Sequence, residues 1–504
     1  MRLVELQRRF GGALHGGDVE VKDARRDSRV VQPGDLFAAV PGATVDGARF
    51  APQALEKGAA AVLTERRLEL DAPQWVVESA RATLGPAAHA LHGDPTEELA
   101  VVGVTGTNGK TTTTYLIDEA LRTLGASSAL LGTVAARAGK ASSPASFTTP
   151  EADDLARFAA CAVDAGATHL VMEVSSHGLD QERVGGVRFE VAAFTNLSQD
   201  HLDYHGTMEA YGEAKARLFL AHAPAACVFH VDDAFGAALA DRAEAAGRRV
   251  LRVGRGEAAD VRASAVRFDA AGIEAEVATP RGALTLRSRL VGAHNLENLL
   301  VALGVLLALQ QRPGHETELA EIAAALGAAT GAPGRLERVA DPRGVSVLVD
   351  YAHTPDALAR ALDALRPLTT GRLIALFGCG GDRDAAKRPK MGRAAGERAD
   401  WVVVTSDNPR TEDPAAIVEA ILPGVEASGQ PRREALGGAR GYVVEVDRRA
   451  AIRQALAAAE AGDTVLIAGK GHEDYQILGT TKHPFDDRVE AAAAIAALTD
   501  GEGA

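Results

Sequence analysis

The sequence predicts an α/β protein whose strands are mostly parallel. Short, almost continuously apolar runs alternate with segments of helical character, and the clearest runs span 99–104, 170–174, 191–195, 345–349, 373–377, 401–405 and 464–468. Strands that helices cover on both faces have this composition, because neither face meets water. At roughly 100–200 residues per domain, a chain of 504 residues has room for three domains.

Composition excludes several classes of protein. The formal net charge of −14 disfavours nucleic acid and anionic membranes as partners. The first ten residues alternate charged and apolar side chains, and no apolar run approaches the ~18 residues of a membrane span. Cys161, Cys227 and Cys379 lie far apart, so we expect them to be reduced and buried. These features predict a soluble cytoplasmic protein.

Two turn-rich breaks divide the chain. Residues 92–98 precede the first strongly apolar strand, and residues 329–334 follow a long helical region. We therefore predict domains at 1–97, 98–333 and 334–504. Residues 449–461 are predicted to be helical because they are rich in alanine, and the tail at 499–504 is expected to be disordered.

The most informative segment is the glycine-rich loop Gly106, Thr107, Asn108, Gly109, Lys110, Thr111, Thr112. Such a loop turns several backbone N–H groups toward a phosphate, while the lysine adds charge and the threonine offers a hydroxyl to Mg²⁺. The loop lies between an apolar run and a helix that we expect to end at Gly125. Val104 stands where the usual spacing has its first glycine. The alternative is a turn without function.

Polar clusters follow the predicted strands. They comprise Glu173 with 175–177, and the segments 196–205, 350–353, 378–383, 407–410 and 469–473. Ligands bind at the carboxyl ends of strands in open α/β sheets. The repetition of such clusters in two successive domains predicts a shared active cleft.

Individual residues in these clusters leave alternatives open. Glu173 interrupts an apolar strand, which favours a metal site with Thr111 over a helix cap. His201 would bind metal or act as an acid or base, although a lone histidine in a polar loop more often has a structural role. Lys215 would share a helix face with Tyr211, although spacing alone favours a surface lysine.

Arg410 follows Asp407, Asn408 and Pro409 after a strand. Its guanidinium suits a bidentate grip on a carboxylate, but a plain Asx-Pro turn with a solvent-facing arginine explains the spacing equally well. The glycine-rich segments 378–383 and 469–473 are open to the same alternative of a sharp turn.

Taken together, the motifs resemble those of the Mur ligase family in their order. The matching segments are 105–112, 173–177, 196–205, 211–219, 294–298, 334–337 and 350–355. Segments 27–37, 378–383 and 469–473 are similar to the MurE-type branch, and the likeness extends from about residue 25 to 490. The valine at 104 is the form that this family uses.

The resemblance implies a three-domain fold with a central P-loop ATPase-like parallel sheet and a C-terminal Rossmann-like domain. The N-terminal domain would bind the UDP-muramoyl substrate, the central domain ATP, and the C-terminal domain the incoming amino acid. Besides the loop, ATP would contact Asn295, Arg335 and Asp350. Carbamylated Lys215, with Thr111, Glu173 and His201, would hold Mg²⁺. The catalytic residues would be Lys110, Glu173, His201 and Lys215. The UDP-muramoyl-dipeptide would contact Ser28, Thr148, Thr149, Ser175, Gln181 and Arg183, although Phe147 and residues 43–45 depart from the usual pattern.

The implied reaction forms an amide through an acyl phosphate. ATP would phosphorylate the D-glutamate γ-carboxylate, and an amine of the added amino acid would displace phosphate. Arg410 has a partner in the second carboxylate of meso-diaminopimelate, which L-lysine lacks. The resemblance adds Arg383, Asp407, Asn408, Pro409, Gly469 and Glu473 to this site and suggests a monomer. The alternatives are a lysine-adding ligase, a folylpolyglutamate synthetase and a non-catalytic nucleotide-binding scaffold.

Overall fold

The computed structural model describes residues 1–42, 45–144, 147–269, 272–309 and 317–500. The described residues form two compact units. The first contains Met1–Ser264, Glu276–Leu286 and Glu297–Ala329, and the second contains Ala265–Ala275, Arg287–Leu296 and Thr330–Ala504. The first unit includes both a small N-terminal sheet and most of a larger sheet.

The N-terminal sheet has five described strands in the order β1-β5-β4-β3-β2. These strands are β1 (Ala13–His15), β2 (Ala24–Arg25), β3 (Leu36–Ala38), β4 (Ala61–Thr64) and β5 (Gln74–Val76). All pair in parallel except β1, which is antiparallel to β5. The helices of this region are α1 (Leu3–Phe10), α2 (Ala51–Glu56) and α3 (Ala80–Leu91). Leu3, Trp75 and Leu84 lie in its apolar core.

The larger sheet has eleven described strands in the order β16-β15-β14-β13-β12-β11-β6-β10-β7-β8-β9. These are β6 (Ala100–Thr105), β7 (Ser128–Leu131), β8 (Ala135–Ala138), β9 (Ala141–Pro144), β10 (His169–Glu173), β11 (Phe189–Phe194), β12 (Ala226–His230), β13 (Val250–Gly254), β14 (Val261–Asp269), β15 (Gly272–Thr279) and β16 (Gly282–Ser288). The helices in this part of the sequence are α4 (Lys110–Thr123), α5 (Ala152–Asp164), α6 (Ser176–Asp180), α7 (Leu202–His205), α8 (Met208–Leu220), α9 (Ala234–Ala245), α10 (Ala293–Leu309) and α11 (Leu319–Ala328).

The centre of this sheet positions the site. Strand β6 is buried along its whole length and pairs in parallel with β10 on one side and β11 on the other. Val104 lies beside Glu173 in the β6–β10 register, and Thr105 lies beside Phe194 in the β6–β11 register. The segments that leave these three strands therefore emerge at one edge of the sheet.

The second unit contains a six-stranded sheet in the order β17-β18-β22-β19-β20-β21 and a separate hairpin. The strands are β17 (Glu337–Val339), β18 (Ser346–Asp350), β19 (Leu373–Phe377), β20 (Trp401–Val404), β21 (Gly441–Val444), β22 (Thr464–Ala468) and the hairpin strands β23 (Tyr475–Leu478) and β24 (Thr481–Pro484). The helices are α12 (Pro355–Leu365), α13 (Lys387–Arg398), α14 (Pro414–Ala427), α15 (Arg448–Ala458) and α16 (Asp487–Asp500). Strands β18 to β22 of the sheet pair in parallel, so the segments after β18, β19, β20 and β22 meet at one edge.

The α/β prediction is confirmed, and all seven predicted runs are strands. The sheets add antiparallel strands at their edges, such as β1, β8 and β17, where no crossover helix forces parallel pairing. The predicted helix at 449–461 corresponds to α15. None of the helices in the described residues is long and apolar enough to cross a membrane.

Two local predictions are wrong. Cys161 is exposed on α5, where the helix turns one side toward solvent, whereas Cys227 and Cys379 are buried as expected. Thr499 and Asp500 belong to α16, which packs against the sheet through Ala491 and Ile495, while the predicted disorder at 501–504 lies outside the described residues. The domain boundaries after residues 97 and 333 stay a prediction.

Candidate active site

The glycine-rich loop connects β6 directly to α4, which begins at Lys110. Gly106 has a φ of 151°, and a Cβ there would clash with the Thr195 hydroxyl oxygen. Gly109 has a φ of 83°, and a Cβ there would clash with the Asn298 amide oxygen. Both positions therefore require glycine for conformation and for space.

The segment that follows β11 braces this loop. The Thr107 amide donates to the Asn196 carbonyl oxygen at 2.8 Å, and the Asn108 amide donates to Asn196 Oδ1 at 3.0 Å. Thr195 Oγ1 donates to the Asn108 carbonyl oxygen at 2.6 Å. Ser198 exchanges hydrogen bonds with the Thr107 hydroxyl at 3.0 and 3.1 Å. The hydrogen bonds from the segment after β11 thus fix the backbone conformation of the loop.

Lys110 and Lys215 converge on this loop. Lys110 Nζ donates to the carbonyl oxygens of Gly106 and Thr107 at 2.8 Å each, and Lys215 Nζ donates to Gly106 at 2.8 Å. Lys215 is only 1% exposed and its ammonium lies 4.3 Å from the centre of the Tyr211 ring. Burial, followed by the nearby Lys110 charge, holds the pKa of Lys215 well below its usual range. Spacing alone favoured a surface lysine, and that interpretation is wrong.

Glu173 is buried at the end of β10 and accepts hydrogen bonds from two threonines. Thr111 Oγ1 donates to Glu173 Oε2 at 3.0 Å, which brings the two predicted ligands together. The Thr133 amide donates to Oε1 at 2.7 Å, and the Thr133 hydroxyl donates to Oε2 at 3.2 Å. Its partners are a loop amide and two hydroxyls, so the helix-cap alternative is wrong.

His201 lies in a cluster of aromatic rings next to the loop. Its backbone is left-handed, with a φ of 52°, and its ring stands edge-on to His177 with centroids 4.8 Å apart. The Tyr211 ring is 6.0 Å away, and its hydroxyl donates to Thr107 Oγ1 at 3.2 Å. Burial lowers the pKa of His177, and the neighbouring histidines lower it further. His201 therefore lies beside helix α8, which carries both Tyr211 and Lys215.

Whether the predicted ligands suit Mg²⁺ depends on the chemistry of their donor atoms. Across the described ranges, no group of three or more His, Cys, Asp or Glu side chains is arranged to hold a metal ion. The predicted set has only two members of those types, His201 and Glu173, since Thr111 and carbamylated Lys215 supply the rest. Thr111 and Glu173 present adjacent oxygen atoms, which are the ligands that Mg²⁺ prefers.

The residues predicted for the muramoyl-dipeptide surround the end of β10, except Ser28. Thr148 shares a hydrogen bond with Thr133 at 3.0 Å, and Thr149 Oγ1 donates to the Glu173 carbonyl oxygen at 3.0 Å. Ser175 caps α6 by accepting from the Gly178 amide. Ser28 lies in the N-terminal sheet region, where its hydroxyl donates to Gln53 at 2.9 Å.

Arg183 links the residues predicted for the muramoyl-dipeptide to the buried carboxylate of Glu151. It donates to the Thr149 carbonyl oxygen and to Gln181 Oε1, at 2.9 and 2.7 Å. Its Nε also lies 3.2 Å from Glu151. Phe147, which departs from the family pattern, is exposed and lies under the Arg183 guanidinium at 5.5 Å. Of the other departures, residues 43 and 44 lie outside the described residues.

Sequence reasoning missed the partners of Glu151. Arg26 and Arg81 lie 3.2 and 3.7 Å from this carboxylate, so three arginines surround it. The three arginines and Glu151 come from four separate segments of the chain. Their clustering depends on tertiary contacts, so no local pattern signals it.

In the second unit, Asp350 ends β18 and is buried. Its oxygens accept from the amides of Leu336 and Ala352 at 2.7 and 2.8 Å. Burial raises the pKa of Asp350, and the nearby Arg335 charge opposes that rise. The Arg335 guanidinium stacks 4.9 Å from the Tyr351 ring. Asn295 Nδ2 donates to the Val291 carbonyl oxygen at 2.9 Å.

The three glycine-rich or proline-containing loops of this unit come together. Arg410 Nη1 donates to the Gly381 carbonyl oxygen at 2.7 Å, and the Gly381 amide donates to Asn408 at 2.9 Å. Arg410 is half-buried and left-handed, with a φ of 52°, and its amide donates to Ile477 of β23 at 3.1 Å. The solvent-facing alternative for Arg410 is therefore wrong, whereas Arg383 is exposed.

Lys470 lies at the centre of these loops, although it is not among the site residues predicted from the sequence. It is 0% exposed, and its ammonium lies 3.4 Å from Asp407, 3.1 Å from Asn408 Oδ1 and 3.4 Å from Glu473. The only signal is its place between Gly469 and Gly471 just after β22, where a lysine is flanked by flexible residues. That pattern fits an exposed turn equally well.

Comparison with known proteins adds an independent result. Three family models match: the Mur ligase family catalytic domain at 24–92, the Mur ligase middle domain at 104–306 and the Mur ligase glutamate ligase domain at 334–471. Together they cover most of the chain.

Curated relatives match along their whole length. The UDP-N-acetylmuramoyl-L-alanyl-D-glutamate--2,6-diaminopimelate ligase of Gloeobacter violaceus is 48% identical over 98% of both chains. The ligase of the same name from Geobacter metallireducens is 45% identical over 100% of both. A solved structure of a ligase of that name is 37% identical, covers 95% of both chains and has a TM-score of 0.71. The motif order, the three family models and the full-length relatives agree, and the chain belongs to the Mur ligase family.

Proposed function

We propose that the protein is an ATP-dependent ligase that joins meso-diaminopimelate to the D-glutamate γ-carboxylate of UDP-N-acetylmuramoyl-L-alanyl-D-glutamate, a step in making peptidoglycan precursors. Relatives at 45% and 48% identity over essentially the whole chain bear the name of a diaminopimelate ligase. The observation that carries the proposal is the assembly of Lys110, Thr111, Glu173 and Lys215 around one phosphate loop. A scaffold protein has no use for this combination.

Residues 106–112 would bind ATP, chiefly through the amides at the α4 N-terminus, because the Thr107 and Asn108 amides already donate to Asn196. The γ-carboxylate attacks the γ-phosphorus of ATP, the bond to the β–γ bridging oxygen breaks, and ADP leaves. Lys110 would move from its carbonyl partners to the transferring phosphoryl group, whose charge it neutralises. Asn295, Arg335 and Asp350 would contact the remainder of the nucleotide.

Lys215 would carry a carbamate. A lowered pKa favours the neutral form of the buried Lys215 amine, whose nitrogen would attack the carbon of CO₂ and release one N–H proton as the carbamate forms. The product is an anion that would turn the Lys215 side chain into an oxygen ligand. Thr111, Glu173, His201 and carbamylated Lys215 would hold Mg²⁺, which supplies charge neutralisation at the phosphoryl oxygens.

The muramoyl-dipeptide would lie against Thr148, Thr149, Ser175, Gln181 and Arg183, with Ser28 serving its nucleotide end. Thr148 contacts Thr133, and Thr149 contacts Glu173. The D-glutamate γ-carboxylate would therefore be held beside the phosphate loop. Arg183 supplies a planar cation suited to a carboxylate or diphosphate oxygen.

The diaminopimelate amine would attack the acyl phosphate carbon. The new C–N bond forms, the C–O bond to phosphate breaks, inorganic phosphate departs, and the amine proton passes to solvent. Arg410 would engage the distal carboxylate, and the remaining ammonium and carboxylate groups would be engaged by Arg383, Gly469 and Glu473. The rest of the amino-acid site would be lined by Asp407, Asn408 and Pro409. We further propose a cytoplasmic monomer with domains at 1–97, 98–333 and 334–504, which serve muramoyl substrate, ATP and amino acid respectively.

The test is phosphate release with the muramoyl-dipeptide, ATP and Mg²⁺, comparing meso-diaminopimelate with L-lysine. We expect turnover with diaminopimelate and at least about a hundredfold lower kcat/KM with lysine, because lysine leaves the arginine unmatched. Equal turnover would favour the lysine-adding alternative. No turnover with either amino acid would favour the nucleotide-binding scaffold.

A further inference from the structure

The ammonium of Lys470 is enclosed by three side chains that belong to two loops. Its distances are 3.4 Å to Asp407 Oδ1, 3.1 Å to Asn408 Oδ1 and 3.4 Å to Glu473 Oε2. An ammonium has three protons, and each is matched here by one acceptor. The side chain is 0% exposed, so these protein acceptors take the place of bulk solvent.

This contact fixes which way the Asn408 amide faces. Asn408 Oδ1 accepts from Lys470 and from the Ile477 amide at 2.9 Å. The opposite end, Nδ2, must therefore donate, and it does so to Glu473 Oε2 at 2.8 Å. Each side-chain hydrogen bond that Glu473 makes with a described residue engages Oε2. Its Oε1 is left for a ligand.

The Lys470 ammonium also balances the negative charges of two neighbouring carboxylates, those of Asp407 and Glu473. Asp407 is 7% exposed, and the Glu473 side chain is 18% exposed. Without a cation between them, the two anions would repel each other and one would turn toward solvent. The orientation of Glu473 thus depends on the Lys470 charge.

The strands beneath these loops are held separately. Arg448 is buried, pairs with Asp487 at 2.7 Å, and donates to the carbonyl oxygens of Ser406 and Ala468 at 3.2 and 2.9 Å. Those two residues immediately precede Asp407 and Gly469. Loss of Lys470 would therefore disturb the loops while leaving the strand ends in place.

We propose that Lys470 is a positioning residue for the amino-acid site, which acts directly and through the Asn408 amide to orient the Glu473 carboxylate so that its Oε1 receives the ammonium group of the incoming diamino acid. This inference rests on the proposed function. Lys470 itself is enclosed by protein and acts through these two side chains.

The test compares Lys470→Met with a matched control, Arg372→Met. Arg372 forms an ion pair with Asp463 at 2.6 Å and joins the opposite, amino-terminal ends of β19 and β22. We expect Lys470→Met to raise the diaminopimelate KM by about tenfold to a hundredfold, because the charged hydrogen bond from the ligand ammonium to the oriented Glu473 carboxylate is lost. The KM for ATP should change less than about threefold, because ATP makes no contact with these loops in the proposed site. Arg372→Met should lower thermal stability with both KM values unchanged.

A double-mutant cycle with Glu473→Gln separates positioning from general destabilisation. If Lys470 acts through Glu473, the second substitution adds little to the KM change of the first. Should Lys470→Met fail to fold, Lys470→Gln removes the charge while keeping a donor. An unchanged diaminopimelate KM, equal changes in both KM values, or additive effects in the cycle would overturn the inference. Absence of wild-type turnover with diaminopimelate would overturn the proposed function and this inference together.

Discussion

Lys110 and Lys215 donate hydrogen bonds to the same carbonyl oxygen, that of Gly106, each at 2.8 Å. Two ammonium groups that share one acceptor repel each other, and burial together with the Lys110 charge holds the pKa of Lys215 well below its usual range. Carbamylation of Lys215 would replace this repulsion with attraction. The arrangement thus links Lys110 of the glycine-rich loop to the chemistry of Lys215.

The first prediction concerns that modification. Protein equilibrated with ¹³C-bicarbonate should show a carbamate carbon resonance, which Lys215→Arg abolishes because a guanidinium does not form this adduct. Ligase activity of the variant should fall by at least about a thousandfold, since a cation would replace a metal-binding anion. Lys140→Arg, at an exposed lysine, is the control and should retain the resonance. A wild-type spectrum without the signal would contradict the assignment.

The second prediction concerns Glu173. Substitution by Gln keeps an oxygen to accept from Thr133 but removes the charge beside Thr111. We expect kcat to fall by about a hundredfold or more, with a higher Mg²⁺ concentration at half-maximal rate. Phosphate release across a Mg²⁺ titration measures both quantities, and the exposed Glu209→Gln serves as control. An unaltered Mg²⁺ dependence would rule out a ligand role.

The third prediction concerns amino-acid selectivity. Arg410→Ala should raise the diaminopimelate KM by about a hundredfold, because a charged bidentate partner of the distal carboxylate is lost. The KM for ATP should stay nearly constant. Steady-state kinetics with each substrate varied in turn provides the measurement, and equal effects on both KM values would contradict the role of Arg410.

The fourth prediction concerns acid stability. His89 is 1% exposed on α3, and burial lowers its pKa from 6.5 to about 4. The unfolded chain binds this proton more readily than the folded one. Stability is therefore fully present above pH 6.5 and is lost as the pH falls toward 4, by about 3 kcal/mol for this group.

His89→Leu should remove that part of the pH dependence. Denaturant unfolding of wild type and variant at pH 7 and pH 4.5 gives the comparison. The exposed His483→Leu is the control and should leave the slope intact. A variant whose stability falls as steeply as that of the wild type would show that His89 does not titrate in this range.

Features that local chemistry decides could be predicted from the sequence. Strand runs such as 170–174 are apolar because both faces are covered, and the glycines at 106 and 109 adopt backbone angles that other residues avoid. The pairing of Thr111 with Glu173 could also be expected, because parallel strands end at one edge of a sheet.

Lys470 and Glu151 were missed for the opposite reason. A lysine between two glycines looks like a solvent-exposed turn until Asp407, some sixty residues earlier in sequence, closes over it. Glu151 gains its three arginines from segments that meet only in the folded chain. Such clusters depend on long-range packing, which periodicity and composition do not encode.

The bracing of the phosphate loop by Thr195 and Asn196 has a consequence for inhibition. These residues hold the loop through Thr107 and Asn108, and they lead directly into the segment that carries His201. A small molecule that separates this segment from the glycine-rich loop would therefore distort the loop. Such a compound would lower the affinity for ATP without occupying its position, and bound ATP would weaken the binding of the compound by the same factor.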